Sequence, residues 1–256
     1  MIFCDTHSHI YLPEFNVDRE FIVSRAIEKG VKKILLSNVD KDTVRPLLDL
    51  CEAFPDLCYP ILGLHPCSVG FDYQEQIKII FENIKNSDIV GIGEIGIDLY
   101  WDKTFLIQQQ EALEIQLKMA ANCQKPVVVH TRDSFDVAFE VISGVKGIKG
   151  VYHCFSGNLE NAKEAVDSSF YLGIGGVITF KNSVVLQEVV REIPLDYLLL
   201  ETDSPYLAPV PYRGKRNESS YIPIIAQKIA ELKSISIEEV AEVTSNNALK
   251  LFNIQN

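Results

Sequence analysis

The sequence has no apolar stretch approaching the ~18 residues that a membrane-spanning helix needs, so no part of the chain reads as a membrane span. It has no Cys-x-x-Cys pair. Its six cysteines, Cys4, Cys51, Cys58, Cys67, Cys123 and Cys154, lie in or beside apolar segments. That argues against a paired-thiolate zinc site and against disulfides, and fits reduced thiols. Basic residues are in deficit: 24 Lys and Arg against 35 Asp and Glu leave a net charge of −11. Such a chain does not coat long duplex DNA through a broad cationic surface. It can still act on nucleic acid where positive charge is local and partly metallic. There is no low-complexity tract and no linker, so residues 1–256 are expected to form a single domain. No basic stretch followed by an apolar one opens the chain, so a signal peptide is not expected and a cytoplasmic location is.

What is present is a regular alternation. Strand-like apolar runs fall near Ile2–Cys4, Lys33–Ser37, Tyr59–Leu64, Ile89–Glu94, Pro126–His130, Gly150–His153, Tyr171–Gly175 and Tyr197–Glu201. A helix candidate follows each. Runs such as Ile34-Leu35-Leu36, Val127-Val128-Val129 and Leu198-Leu199-Leu200 are apolar throughout, as in strands of a parallel sheet buried on both faces. Thr104 is predicted to cap one helix and Asp133 another, and Ser236-Ile237-Glu238-Glu239 reads as a capping box opening the last. Eight βα units in one domain predict an α/β fold, a (β/α)8 TIM-type barrel, with a doubly wound open sheet as the alternative. Only the barrel brings the C-terminal ends of all strands to one face.

Five of the runs lead into a metal-ligand residue. Asp5-Thr6-His7-Ser8-His9 closes the first, and Glu94, His130, His153 and Asp203 follow the fourth, fifth, sixth and eighth. His7 and His9 are two apart on a strand, so both imidazoles lean to one face. Glu94 lies among glycines in Gly91-Ile92-Gly93-Glu94-Ile95-Gly96, with room around a carboxylate whose two oxygens can bridge two cations. The competing reading is a strand-end glutamate paired with Arg132 or Lys103. Six ligand-type residues exceed what one catalytic zinc needs. The surplus argues for two divalent ions, which together clamp a phosphoryl centre and activate water. Four imidazoles favour Zn, Mn, Fe or Ni over Mg. Cys154 adjoins His153, but successive strand residues face opposite ways. His65, in Gly63-Leu64-His65-Pro66, reads as either substrate-contacting or structural.

The stretches Asp5–His9, Gly63–Pro66, Gly91–Asp98, Pro126–Arg132, His153–Gly157, Glu201–Leu207, Arg213–Glu218 and Thr244–Phe252 resemble, in order and over nearly the whole chain, the TatD family of metal-dependent deoxyribonucleases within the amidohydrolase-like barrels. The resemblance implies His7, His9, Glu94 and Asp203 around one metal, and Glu94, His130 and His153 around the other. It also implies Mg-supported nuclease activity, running 3′→5′ on single-stranded ends, with RNA as a further substrate. One departure stands out: the family usually places Pro after Asn-Glu, where this chain has Ser219-Ser220. Ser219 is expected to act there as a helix cap.

The expected function is a metal-dependent phosphodiesterase on DNA, acting as a monomer away from membranes. In this reading a metal-activated water attacks phosphorus, and Asp203 and Glu94 serve the chemistry. Arg213, Lys215 and Arg216, in the irregular stretch 208–220, read as phosphate contacts or as a solvated loop. Arg132 reads as a phosphate contact or a partner of Asp98. Tyr100 and Trp101 either stack a base or cover the barrel. The alternatives are hydrolysis of a small ester, amide or lactone by the same centre, and a non-catalytic binding barrel.

Overall fold

Each apolar run becomes a strand and each is followed by a helix. The computed structural model describes residues 1–85 and 87–255. In chain order these give β1 (Phe3–Ser8), α1 (Arg19–Glu28), β2 (Val31–Ser37), α2 (Val44–Ala53), β3 (Cys58–Leu62), α3 (Tyr73–Ile84), β4 (Gly91–Asp98), α4 (Leu106–Cys123), β5 (Val127–Arg132), α5 (Phe135–Ser143), β6 (Gly150–Tyr152), α6 (Leu159–Asp167), β7 (Phe170–Ile174), α7 (Val184–Glu192), β8 (Leu198–Leu200), α8 (Ile222–Lys233) and α9 (Ile237–Phe252). The sheet is parallel throughout, in the order β1 to β8. Its two edges meet: Ser8 bridges Ser204, Asp203 N–H donates to His7 O at 2.9 Å, and His9 N–H donates to Ser204 O at 2.8 Å. That closure decides for the barrel over the open sheet. No described helix is long and apolar enough to cross a membrane.

The strands divide their side chains between two layers. Odd-even alternation sends Ile34 and Leu36 outward against the helices, and Leu35 inward. The inward set Cys4, Leu35, Ile61, Val128, Val151 and Leu199 fills the lower barrel, where Ala248, Leu251 and Phe252 of α9 close the bottom. One two-residue step up five of these six strands from this apolar floor come Ser37, Gly63, His130, His153 and Glu201. The floor therefore fixes which residues face the upper cavity.

β4 runs past the expected end at Glu94 to Asp98, because Gly96, Ile97 and Asp98 stay in register with His130, Thr131 and Arg132 of β5. Gly96 is required there: its φ is +147°, and a Cβ would sit 2.0 Å from His130 O. Two caps differ from expectation. The helix after Thr104 begins at Leu106, with Phe105 at its N-cap. Ser134, not Asp133, precedes α5; its hydroxyl donates to Ile97 O and accepts from Arg132 N–H at 3.0 Å, tying β4 to β5 instead of capping the helix. Ser236 does cap α9, accepting from Glu239 N–H at 3.1 Å. Ser219 is no cap: it opens a single turn, Ser219–Tyr221, and its buried hydroxyl has no hydrogen-bond partner.

Candidate metal centre

All five histidines of the chain surround one carboxylate. Glu94 Oε1 lies 2.8 Å from His130 Nδ1, 2.8 Å from His153 Nε2 and 3.1 Å from His65 Nε2. Glu94 Oε2 lies 3.1 Å from His7 Nε2 and 3.6 Å from His9 Nε2. Asp203 Oδ1 completes the far side, 3.7 Å from His7 Nε2 and 3.5 Å from His9 Nε2. Burial alone would push the Glu94 carboxyl up, but the imidazoles of His153, His65 and His7 outweigh it and hold it well below the usual range. Three overlapping groups bring ligand-type atoms within 4.8 Å of one another: His7, His9 and Glu94; His7, His153 and Asp203; and His65, Glu94 and His130. Cys154 belongs to none of these groups. Neither Arg132 nor Lys103 pairs with Glu94.

The donor set fits divalent metal, because the nitrogens turned away from the centre are mostly engaged elsewhere. His9 Nδ1–H donates to Ser37 O at 2.7 Å, leaving Nε2 bare. His7 Nδ1 meets Ser37 Oγ at 3.2 Å, also leaving Nε2 inward. His130 is turned the other way: Nε2–H donates to Asp98 Oδ2 at 2.9 Å, and Nδ1 faces Glu94 and, at 3.3 Å, His153 Nε2. Burial pushes Asp98 up, but the His130 hydrogen bond prevails and holds it at about 2. His65 differs in kind. Its Nδ1 accepts from Cys67 N–H at 3.0 Å, so the proton sits on Nε2 and donates to Glu94. In that tautomer His65 is a donor beside the cluster and not a ligand.

Three supporting carboxylates were not among the predicted ligands: Asp98, Glu201 and Asp5. Glu201 is fully buried. Its Oε1 accepts from Cys154 N–H at 2.5 Å and lies 3.5 Å from His153 Nδ1. Its Oε2 and His153 Nδ1 lack hydrogen-bond partners. Gly173 makes the space, since a Cβ there would sit 2.2 Å from Glu201 Oε2. Asp5 accepts from Thr202 N–H at 2.9 Å and from its hydroxyl at 2.7 Å, joining β1 to the Asp203 segment where the barrel closes. All three lie in the family-like stretches, and the inward parity from Leu199 to Glu201 is a further clue.

The basic candidates separate. Arg216 Nη2 pairs with Asp18 at 2.5 Å, Nη1 donates to Glu14 O, and the guanidinium lies 4.6 Å from the Phe15 ring centre, so Arg216 pins its loop to the segment before α1. Arg213 is exposed, 4.4 Å over the Phe180 ring, and Lys215 is exposed 6.0 Å from the Tyr212 ring. Arg132 does not reach the Asp98 carboxylate. Its guanidinium lies 3.7 Å over the Tyr100 ring and 5.2 Å from that of Trp101.

With this geometry, comparison with known proteins is informative. The TatD related DNase family matches residues 4–253. The uncharacterized metal-dependent hydrolase YabD of Bacillus subtilis is 38% identical over 252 residues, covering 98% of each chain. The uncharacterized metal-dependent hydrolase YcfH of Escherichia coli is 32% identical over 261 residues, covering 99% of this chain and 97% of its own. The crystal structure of YjjV, a TatD homolog from Escherichia coli, superposes with a TM-score of 0.93 at 30% identity, covering 99% of this chain and 98% of the other.

Proposed function

From a chain that belongs to the TatD related DNase family and is a metal-dependent hydrolase, we propose a nuclease that removes nucleotides from the 3′ ends of single-stranded DNA, with RNA as a further substrate. The observation that carries this reading is Glu94 in contact with all five histidines, its two oxygens turned to two different sets. His7, His9, Glu94 and Asp203 would hold one divalent ion, and Glu94, His130 and His153 a second. Bound there, a pair of ions activates water and offsets charge on the phosphoryl oxygens.

The chain's own residues supply the rest. Asp203 is the least enclosed carboxylate of the cluster, with 15% of its side chain accessible, and is placed to orient the incoming water and take its proton. Glu94 fixes the spacing between the two ligand sets. His65 Nε2–H points at the centre, 3.1 Å from Glu94 Oε1, and can donate to a phosphate oxygen. Arg213 and Lys215, free of carboxylate partners among the described residues, suit the next phosphates along a strand. With a net charge of −11, binding must rest on such local cations, and the site lies among the loops at the C-terminal face of the barrel. That arrangement admits a flexible strand end more readily than a continuous duplex.

The test compares end-labelled linear strands, circular single strands, RNA and small esters after metal removal and re-addition. Linear DNA should shorten from its 3′ end only when metal is restored, and circles should persist. Neutralising Arg213 and Lys215 together should raise KM and flatten the salt dependence. Rapid cutting of circles rejects the exonuclease reading. Ester turnover with all DNA left intact replaces the nuclease reading with that of a small-molecule hydrolase.

A further inference from the structure

A group of side chains at the mouth of the barrel has no part in the proposed chemistry. Tyr100 and Trp101 follow β4 directly and are 54% and 69% exposed. Trp101 is the chain's single tryptophan. Leaving a large apolar side chain in water forgoes about 1.5–3 kcal/mol of burial, and rings that merely covered the barrel would be buried against it. Their position is nevertheless fixed. Tyr100 N–H and Trp101 N–H both donate to Asp98 Oδ1, at 3.0 and 3.2 Å, while Asp98 Oδ2 accepts from His130 at 2.9 Å. One carboxylate thus ties the aromatic pair to the metal cluster.

Arg132 completes the group. It stands opposite Asp98 in the β4–β5 register. In a chain with 35 acidic residues it has no carboxylate within ion-pair distance among the described residues. Its guanidinium instead lies 3.7 Å over the Tyr100 ring, and the two rings meet edge to face at 4.9 Å. A planar cation held by aromatic faces with its donors unspent is suited to a phosphate. An exposed indole beside it is suited to a base.

We propose that Trp101, Tyr100 and Arg132 form a subsite in which an unpaired nucleobase stacks on the Trp101 indole, while Arg132, seated on Tyr100, takes an adjoining phosphate. The inference rests on the nuclease reading and deepens it. Every base has a π face, so such a platform tolerates any sequence. A base inside a duplex has both faces occupied by its neighbours, so the same platform selects single strands. A small ester or lactone has nothing to place there.

Because Trp101 is the only tryptophan, fluorescence excited at the red edge, where the ten tyrosines do not absorb, reads this subsite alone. Metal-loaded protein is titrated with a short oligothymidylate bearing cleavage-resistant phosphorothioate linkages. A matched strand carries tetrahydrofuran abasic units in place of every base. The base-bearing strand should quench Trp101 and bind more tightly than the abasic strand. Base stacking is worth about 1–3 kcal/mol, so the ratio should be about 5- to 150-fold. Trp101→Leu, an exposed and structurally tolerant change, should erase most of that ratio when binding is followed with a label on the DNA. Equal affinity for the two strands with no quenching overturns the subsite, even if ordinary single strands are still degraded with metal present. Failure to degrade any nucleic acid with metal restored is a different result, and it removes the nuclease reading on which the subsite rests.

Discussion

Replacing Gly173 with alanine should weaken metal binding through a residue that touches no proposed ion. A Cβ built at 173 meets Glu201 Oε2 at 2.2 Å, Glu201 Cδ at 2.8 Å and His153 Cα at 3.1 Å. Favourable contact needs about 3.5–4 Å, so the carboxylate must retreat by about 1 Å or more. Glu201 cannot do this and keep its contacts, because Oε1 is held by Cys154 N–H at 2.5 Å and faces His153 Nδ1 at 3.5 Å. His153 would lose the negative charge behind it and the orientation of its inward nitrogen. Disturbing an outer partner of this kind costs about 10- to 100-fold in metal affinity. Overpacking costs a further ~1–3 kcal/mol of stability. The assay is a competition titration against a chromophoric chelator, with thermal melts of the metal-free protein alongside. In a double-mutant cycle Glu201→Ala should make Gly173→Ala nearly neutral, since the clash is removed with the side chain. Gly173→Ala with native affinity and native melting refutes the reasoning, as does full additivity with Glu201→Ala.

Asp203→Asn keeps the shape but cannot take a proton, and kcat should fall about 10²–10⁴-fold with the circular dichroism spectrum unchanged. Near-normal turnover in metal-loaded protein removes Asp203 from the proton step. Glu218 accepts from Arg25 Nε and Nη2 at 2.9 and 2.6 Å, and although burial pushes its carboxyl up, Arg25 holds it below the ordinary 4.5. A depressed folded value means that the pair's stabilisation is complete above pH 4.5 and is lost as pH falls through the folded value. Arg25 is 45% exposed, so the effect should be about 1 kcal/mol. Arg25→Met should flatten that part of a urea midpoint against pH curve, and an unchanged acid limb counts against the pair.

The strands were legible because each is a short run buried on both faces, and such runs are apolar without interruption. Legibility failed where inward positions turn polar. β4 was cut at Glu94 because Glu94-Ile95-Gly96-Ile97-Asp98 reads as a strand giving way to a loop, although its backbone pairing with β5 continues to Asp98 and Arg132. Thr104 and Asp133 are good capping residue types by composition, yet neither caps. Capping depends on where the chain turns, and the Ser134 hydroxyl is drawn to Ile97 O across two strands. The three basic residues of the 208–220 loop looked equivalent for a related reason. Arg216 is committed to Asp18 and Glu14, about 200 positions away in sequence, and no local pattern reports that.

The histidines were legible because they are few and each follows an apolar run. The carboxylates behind them were not, since Asp98 and Glu201 look locally like many surface acids. Charge explains why they belong there. Glu94, Asp98, Glu201 and Asp203 gather four carboxyl groups in one enclosed cluster: 0–3% of the Glu94, Asp98 and Glu201 side chains and 15% of Asp203 are accessible. Buried charge of one sign is costly unless it is paired, and no lysine or arginine pairs with any of the four among the described residues. The structure offers two ways to balance them. Protons can load some of the imidazoles: Glu94 and Glu201 overcome burial to hold His153 well above its ordinary value, whereas burial holds His7 and His65 below theirs. Two divalent cations would carry the same compensating charge without protonating a ligand. If two divalent ions bind, the outer carboxylates set acidic groups against them that Glu94 and Asp203 alone would not supply.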